Sequence, residues 1–302
     1  MAGLTIANLE WGHRDPNHFI DDVVRSTGIL DKFFLVDGIK SKHQFPVVDA
    51  SLTFGTDICV FDPQSSASIN EKEMSVSTYK WAFKNCKNVL QNTYRSEFLR
   101  KGMNNAQTMD EAFGNWLYER FAKEAGVKVL DLAATEIKAE ITGDDAVIKP
   151  TQSTNDLTDE TQILGELRAA FKAIPQKLRE AIYNAADRKY APAIFVNANV
   201  MTAYQLAVAD ANKVNYADLQ KGNNIPPFLG IPIYLFAPLG DQEIIITPPN
   251  NLVMLVDSYA DVKAIQATYK PELSSDYLWG QFTIGFSYQR GDNIVYYTGT
   301  AA

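Results

Sequence analysis

Residues 108–141 constrain this chain more than any other stretch. Met109, Phe113, Trp116, Leu117 and Phe121 recur three and four residues apart, which draws one apolar stripe along a helix. Lys123, Glu124, Lys128, Asp131, Glu136 and Lys138 fall largely elsewhere on the helical wheel. Thr108 followed three residues later by Glu111 is a capping-box signature, and Asp110 and Glu111 suit the positive N-terminal end of a helix. If helical throughout, about thirty residues at ~1.5 Å each span on the order of 50 Å. Gly126 is the candidate kink, at about 1 kcal/mol relative to alanine. A helix this long, apolar on one side only, suits a strut better than a pocket wall.

The rest of the composition bounds the class. The 302 residues permit one large or two modest compact units, and 46% hydrophobic content supplies a substantial core. No apolar run reaches the length that crosses a bilayer. Residues 1–11 lack a basic segment followed by a long apolar one, so no signal peptide is expected. Cys59 and Cys86 are the only cysteines. They provide no disulfide framework, suit a reducing cytoplasm, and read as packing residues. A net charge of −8 argues against coating nucleic acid through the average field, while leaving room for a container with a weakly acidic wall.

Taken in order, residues 1 to about 32 look like an arm: polar around Pro16, with a short amphipathic pattern from Phe19 to Leu30. Residues 33–79 alternate between strand and turn chemistry and predict an extended hairpin, which is marginal in water unless something else holds it. Residues 81–99 have the spacing of a second helix. Lys149 to Asp159 reads as a loop, and helices are expected over 160–174 and, after Pro175, through Tyr183. Ala193–Val196 reads as a buried strand, with Asn199 capping the helix that follows. Strands are expected at 229–236, 243–247, 252–257, 264–269, 278–288 and 294–297. The mixed order of elements says α+β.

Catalytic constellations do not emerge. His13 and His18 are five apart in the proline-containing arm, a poor spacing for zinc, and read as polar arm residues. No Walker A loop, Gly-x-Ser-x-Gly or post-strand Gly-x-Gly-x-x-Gly is present. Gly143-Asp144-Asp145 matches a polymerase turn in three residues, but a helix precedes it where a strand hairpin is needed, so it reads as an ordinary turn. Lys84, Lys87, Arg95, Arg100 and Lys101 make 84–101 basic, either as a solvated face or as a surface for subunit or nucleic-acid contact. Tyr277, Trp279, Phe282, Phe286 and Tyr288 read as sheet core rather than a base-stacking platform. A strut, an arm and a hairpin with no catalytic centre suit a chain that contacts copies of itself.

Several stretches resemble a major capsid protein of a tailed bacteriophage of the HK97-fold class. Residues 75–84 resemble the strand leading out of that family's extended loop, and 108–133 its spine helix. Ala193-Ile194-Phe195-Val196-Asn197 and Leu229-Gly230-Ile231-Pro232-Ile233-Tyr234 are similar to its axial-domain core, and Asn250 to Asp257 to its return strand. Trp279 to Phe286 followed by Asn293 to Tyr297 resembles its ending. The likeness covers most of the chain, by order of elements more than by any one motif.

The resemblance implies an HK97-like α+β fold with an N-terminal arm (1–33) and an extended β-hairpin loop (34–80). It further implies a peripheral domain with the spine helix (81–150), an axial domain (151–245) and a return to peripheral-domain strands (246–302). It implies a structural protein, not an enzyme, with no cofactor, metal or catalytic residue. Such a chain self-assembles into pentamers and hexamers of an icosahedral shell around double-stranded DNA, bound without sequence specificity. Scaffolding, portal and decoration proteins are its further implied partners. Its implied place is the virion, assembled in the bacterial host cytoplasm, with no membrane partner. Arg14 and Phe19 in the arm, Lys40, Lys42, Phe54 and Phe61 in the loop, and Lys84, Lys87, Arg95 and Arg100 beyond it are the candidate inter-subunit contacts. An encapsulin-like compartment shell is the nearest alternative, and a soluble α+β enzyme is the alternative of another class.

Overall fold

The expected strut is one continuous helix in the computed structural model, which describes residues 28–51, 66–86, 111–184, 190–212, 225–257, 265–270 and 275–300. This helix, α1 (Glu111–Gly143), runs for 33 residues. Gly126 lies buried inside it. Val129, Ala133, Ile137 and Ile141 form a buried row, the last two with no exposed surface. Burying a side chain of that size stabilises by ~1.5–3 kcal/mol, which outweighs the cost of one glycine. Residues 1–27 of the expected arm lie outside the described residues.

Three further helices are described: α2 (Ile163–Lys172), α3 (Gln176–Tyr183) and α4 (Ala198–Asn212). The strands are β1 (Phe34–Val36), β2 (Lys42–Ser51), β3 (Ser66–Ser75), β4 (Ser77–Cys86), β5 (Ala193–Val196), β6 (Ile233–Leu235), β7 (Glu243–Thr247), β8 (Leu252–Val256), β9 (Ile265–Lys270), β10 (Ser275–Tyr288) and β11 (Val295–Thr298). The chain divides into two compact units. One draws its described residues from 28–40, 76–135 and 254–285, the other from 41–75, 136–253 and 286–300.

The first unit carries a sheet ordered β1-β8-β10-β4, with β9 also on β10. β10 runs antiparallel to β4 from Ser275↔Cys86 to Ile284↔Ser77. Across that ladder the Thr78 and Thr283 hydroxyls are 3.0 Å apart, and the rings of Tyr79 and Phe282 lie 5.9 Å centre to centre. These directly opposed pairs are the units of sheet stabilisation. They also correct an expectation: Trp81 to Cys86 are strand, not the start of a helix. Ala82, Phe83 and Cys86 fit a helical stripe, but ten cross-strand positions on β10 decide the matter. Residues 87–99 lie outside the described residues.

The second unit holds a four-stranded sheet ordered β11-β7-β5-β6, in which β5 is parallel to β6 and antiparallel to β7. All four residues of β5 are buried, as befits an inner strand covered on both faces. Ile163 and Leu167 of α2, Tyr204 of α4, Ile194, Val196, Ile244, Ile246 and Val295 share one core. Pro175 heads α3 as expected. The start of α4 differs by two residues, because Asn197 caps it by accepting the Val200 N–H at 2.9 Å. Asn199 instead donates to Asp241, which also holds Asn197.

The strand expected over 229–236 is interrupted. Phe228 and Ile231 exchange both backbone hydrogen bonds at 2.9 Å, and Leu229 and Gly230 between them have φ of 48° and 84°. Positive φ at both central residues is the type I′ turn, which favours Asn-Gly. A leucine there costs roughly 1–2 kcal/mol of backbone energy. Only Ile233–Leu235 remain as β6.

Two tyrosines of β11 staple this unit to carboxylates distant in sequence. The Tyr297 hydroxyl donates to Glu166 Oε2 at 2.5 Å, and that of Tyr296 to Glu243 Oε1 at 2.9 Å. Burial pushes Glu166 upward, but hydrogen bonds from Tyr297, Asn155 and Ser153 outweigh it and hold the carboxyl below its usual range. Glu243, also partly buried, is held down by Lys138, the Gly240 amide and Tyr296. Burial, with help from Glu166, drives Tyr297 up to about 12.

These shifts set the pH window. The depressed carboxylates contribute stability that is present above pH 4.5 and lost as pH falls through their folded values. The raised Tyr297 contributes stability that is present below pH 10.0 and lost as pH rises toward about 12. Urea midpoints of the isolated chain should therefore be flat near neutrality and fall on both sides. Tyr297→Phe should lower stability by about 1–2 kcal/mol and shallow the acid limb; an unchanged urea curve across pH would contradict this reading.

Candidate functional site

β2 and β3 form a two-stranded ribbon paired from Lys42↔Ser75 to Ser51↔Ser66. At ~3.4 Å per residue it is about 34 Å long. His43, Phe45 and Val47 are half-buried, whereas Gln44, Pro46, Glu71 and Glu73 are exposed. Pro46 is tolerated because both strands of a ribbon are edges. Lys42 meets Glu73 diagonally at 2.5 Å, with both side chains largely exposed. Such a pair is worth little, so the ribbon depends on its foot.

The foot is a polar clamp made by the end of α1. Glu136, Glu140 and Asp144 are four residues apart and so share one face. Glu136 Oε2 accepts the Phe286 N–H at 2.7 Å, and Glu140 Oε2 accepts the Ser287 hydroxyl at 2.7 Å. Asp144 Oδ2 accepts the Tyr288 hydroxyl at 2.7 Å, and its Oδ1 the Ala146 N–H at 2.8 Å. Lys72 of β3 enters this row: its Nζ is 3.1 Å from Glu140 Oε2 and 3.1 Å from the centre of the Tyr288 ring. Met74, two residues along β3, is buried. Gly291 is required here, because a Cβ would lie 2.5 Å from Asp144 Oδ2.

The electrostatics agree. Burial lowers Lys72 below its usual value, with Glu140 and Asp144 opposing that shift. Burial would raise Asp144, but hydrogen bonds from Tyr288 and Ala146 and the fields of Lys72 and Lys149 leave it depressed. Tyr288 is pushed well above the ordinary phenol range by burial and by Asp144. Each of these side chains has a partner within the row, so the row holds structure. Among the described residues no group of three or more His, Cys, Asp or Glu side chains is placed to hold a metal. No helix among them is long and apolar enough to cross a membrane.

Comparison with solved structures finds this architecture elsewhere. A chain of the satellite phage P4 procapsid, solved with its size-determination protein, matches with a TM-score of 0.62 at 10% identity, over 96% of this chain and 93% of that one. The capsid of an empty GTA particle matches over 100% and 96%, with a TM-score of 0.55 at 10% identity. A virus-like particle from Pyrococcus furiosus matches over 92% and 97%, with a TM-score of 0.53 at 13% identity. No protein-family model matches the chain. A search of curated proteins finds no match. The chain therefore has the α+β HK97-like fold of capsid shells, spine helix included.

Of the residues singled out in the sequence, Lys40 is exposed just before β2 and Lys42 sits in the Glu73 pair. Lys84 lies on β4 opposite Tyr277. Arg14, Phe19, Phe54, Phe61, Lys87, Arg95 and Arg100 lie outside the described residues. Gly143 ends α1 and the turn begins beyond it at Asp145, with Asp144 between them serving the clamp. The row of Glu136, Glu140, Ser287 and Tyr288 was not foreseen. Its one sequence signal is the four-residue spacing of the acids at a helix end, where a negative charge is otherwise unfavourable.

Replacing Lys72 with methionine keeps the stem and removes the charge. Amide exchange in β2 and β3 should then quicken about tenfold, more than elsewhere in the second unit. Equal protection in K72M and the parent would show that the clamp does not hold the ribbon.

Proposed function

We propose that this chain is a structural shell subunit, the major capsid protein of a tailed bacteriophage. In this reading copies of it assemble as pentamers and hexamers into an icosahedral shell around double-stranded DNA. The match to the P4 procapsid chain, nearly end to end in both proteins, carries the proposal. Physical features support it. A ribbon about 34 Å long with one exposed face and a clamped foot gains its remaining order from neighbours, which recovers ordering entropy at assembly. The net charge of −8 keeps the wall from gripping packaged DNA. The chain acts without cofactor or catalysis, and its place is the virion. Arm, hairpin and basic residues, from Arg14 and Phe19 through Lys40, Lys42, Phe54 and Phe61 to Lys84, Lys87, Arg95 and Arg100, supply the inter-subunit contacts. Scaffolding and portal proteins are the further partners.

The matched virus-like particle has the same fold, so the contents separate a phage shell from an encapsulin-like compartment. Negative-stain microscopy and light-scattering mass of the purified chain should reveal closed shells, rings or tubes. Packaged DNA in particles from the native host supports the phage reading, and an enclosed enzyme supports the compartment. A strict monomer, both alone and with a co-expressed scaffolding protein, would overturn both.

A further inference from the structure

The Leu229–Gly230 turn is built at odds with the isolated chain. Its backbone favours Asn-Gly, yet the first central residue is a leucine at φ 48°. That leucine is 52% exposed, so it gains only part of a core leucine's burial energy to set against the strain. Sequence could relieve both costs with one asparagine. Strain kept at an exposed apolar residue marks a position whose benefit lies outside the monomer.

The surroundings say what kind of partner fits. No charged residue occurs from Ile225 to Gly240. Within that run Pro227, Pro232 and Leu235 are exposed as well as Leu229. β6, which follows the turn, ends its sheet among the described strands. A Cβ on Gly230 would touch Ile182 Cγ2 at 3.4 Å, which places the turn against the end of α3, where Tyr183 is 77% exposed. The uncharged run of leucine and proline has the apolar composition of a protein–protein interface core, and the charges α3 carries near Tyr183, Arg179 and Glu180, are of opposite sign.

We propose that the Leu229–Gly230 turn, with Tyr183 beside it, is a contact surface for a second copy of this chain. The proposal rests on the shell-subunit reading, which requires each copy to present such surfaces to its neighbours. Leu229 is the knob of the contact, and the strained turn holds it out from the sheet edge.

The test compares the full chain with Leu229→Asn and Leu229→Gly, both of which suit positive φ. Melting is read below the assembly threshold, and the critical concentration for particle formation is read by light scattering. The variants should melt at or above the parent temperature, yet need about tenfold more protein to assemble. Parent particles forming at the same threshold as both variants would overturn this proposal alone. Two variants that melt below the parent would also overturn it, by placing Leu229 in the service of the fold. A parent that forms no particle under any condition would remove the shell reading and this proposal with it.

Discussion

Three carboxylates at the wrong end of a helix hold the second unit together. Glu136, Glu140 and Asp144 gather where α1 ends, and a helix C-terminus repels negative charge. The arrangement persists because each acid is answered. Phe286, Ser287 and Tyr288 supply an amide and two hydroxyls in three successive residues. Lys72 supplies a half-buried positive charge. Lys149 reaches back to the carbonyls of Thr142 and Asp144 at 3.0 and 2.9 Å, neutralising the helix end itself. Removing one member would leave another charged and partly buried, so the row acts as a unit.

The same device recurs along the C-terminal strands. Tyr288, Tyr296 and Tyr297 each donate to a carboxylate from a remote part of the chain: Asp144, Glu243 and Glu166. A tyrosine suits this task because its ring fills core volume while its hydroxyl satisfies a carboxylate that would otherwise be costly to bury. Lys138 of α1 also pairs with Glu243, so one acid ties helix, β7 and β11 together. The final strands therefore close the unit by polar contacts as well as by apolar burial.

How much of this was legible in the sequence depended on range. α1 was legible because its pattern repeats over many turns and one glycine cannot break it. The buried β5 and the helix after Pro175 were legible from short, strong local signals. Trp81 to Cys86 misled because six residues of mixed aromatics fit a period of two or of three and four, and only β10, nearly two hundred residues away, decides. Asn197 and Asn199 compete for one cap at a spacing no propensity resolves. The clamp was invisible for the same reason: Lys72, Glu140 and Tyr288 are distant in sequence, and each alone looks like a surface charge or a core ring.

Identities near 10% over almost the whole of the matched chains, with no family model matching, imply that this fold tolerates nearly any residue that keeps the pattern. A fold so permissive places weak demands on any one side chain, and most of the described chain is locally consistent with the structure it adopts. Against that background a local conflict carries information. Glycine or asparagine would satisfy the turn at 229 at once, whereas a half-exposed leucine gains only part of a core leucine's burial there. In a protein whose work is proposed to be contact with its own copies, a strained and half-exposed leucine is where a neighbour's contact would repay the cost.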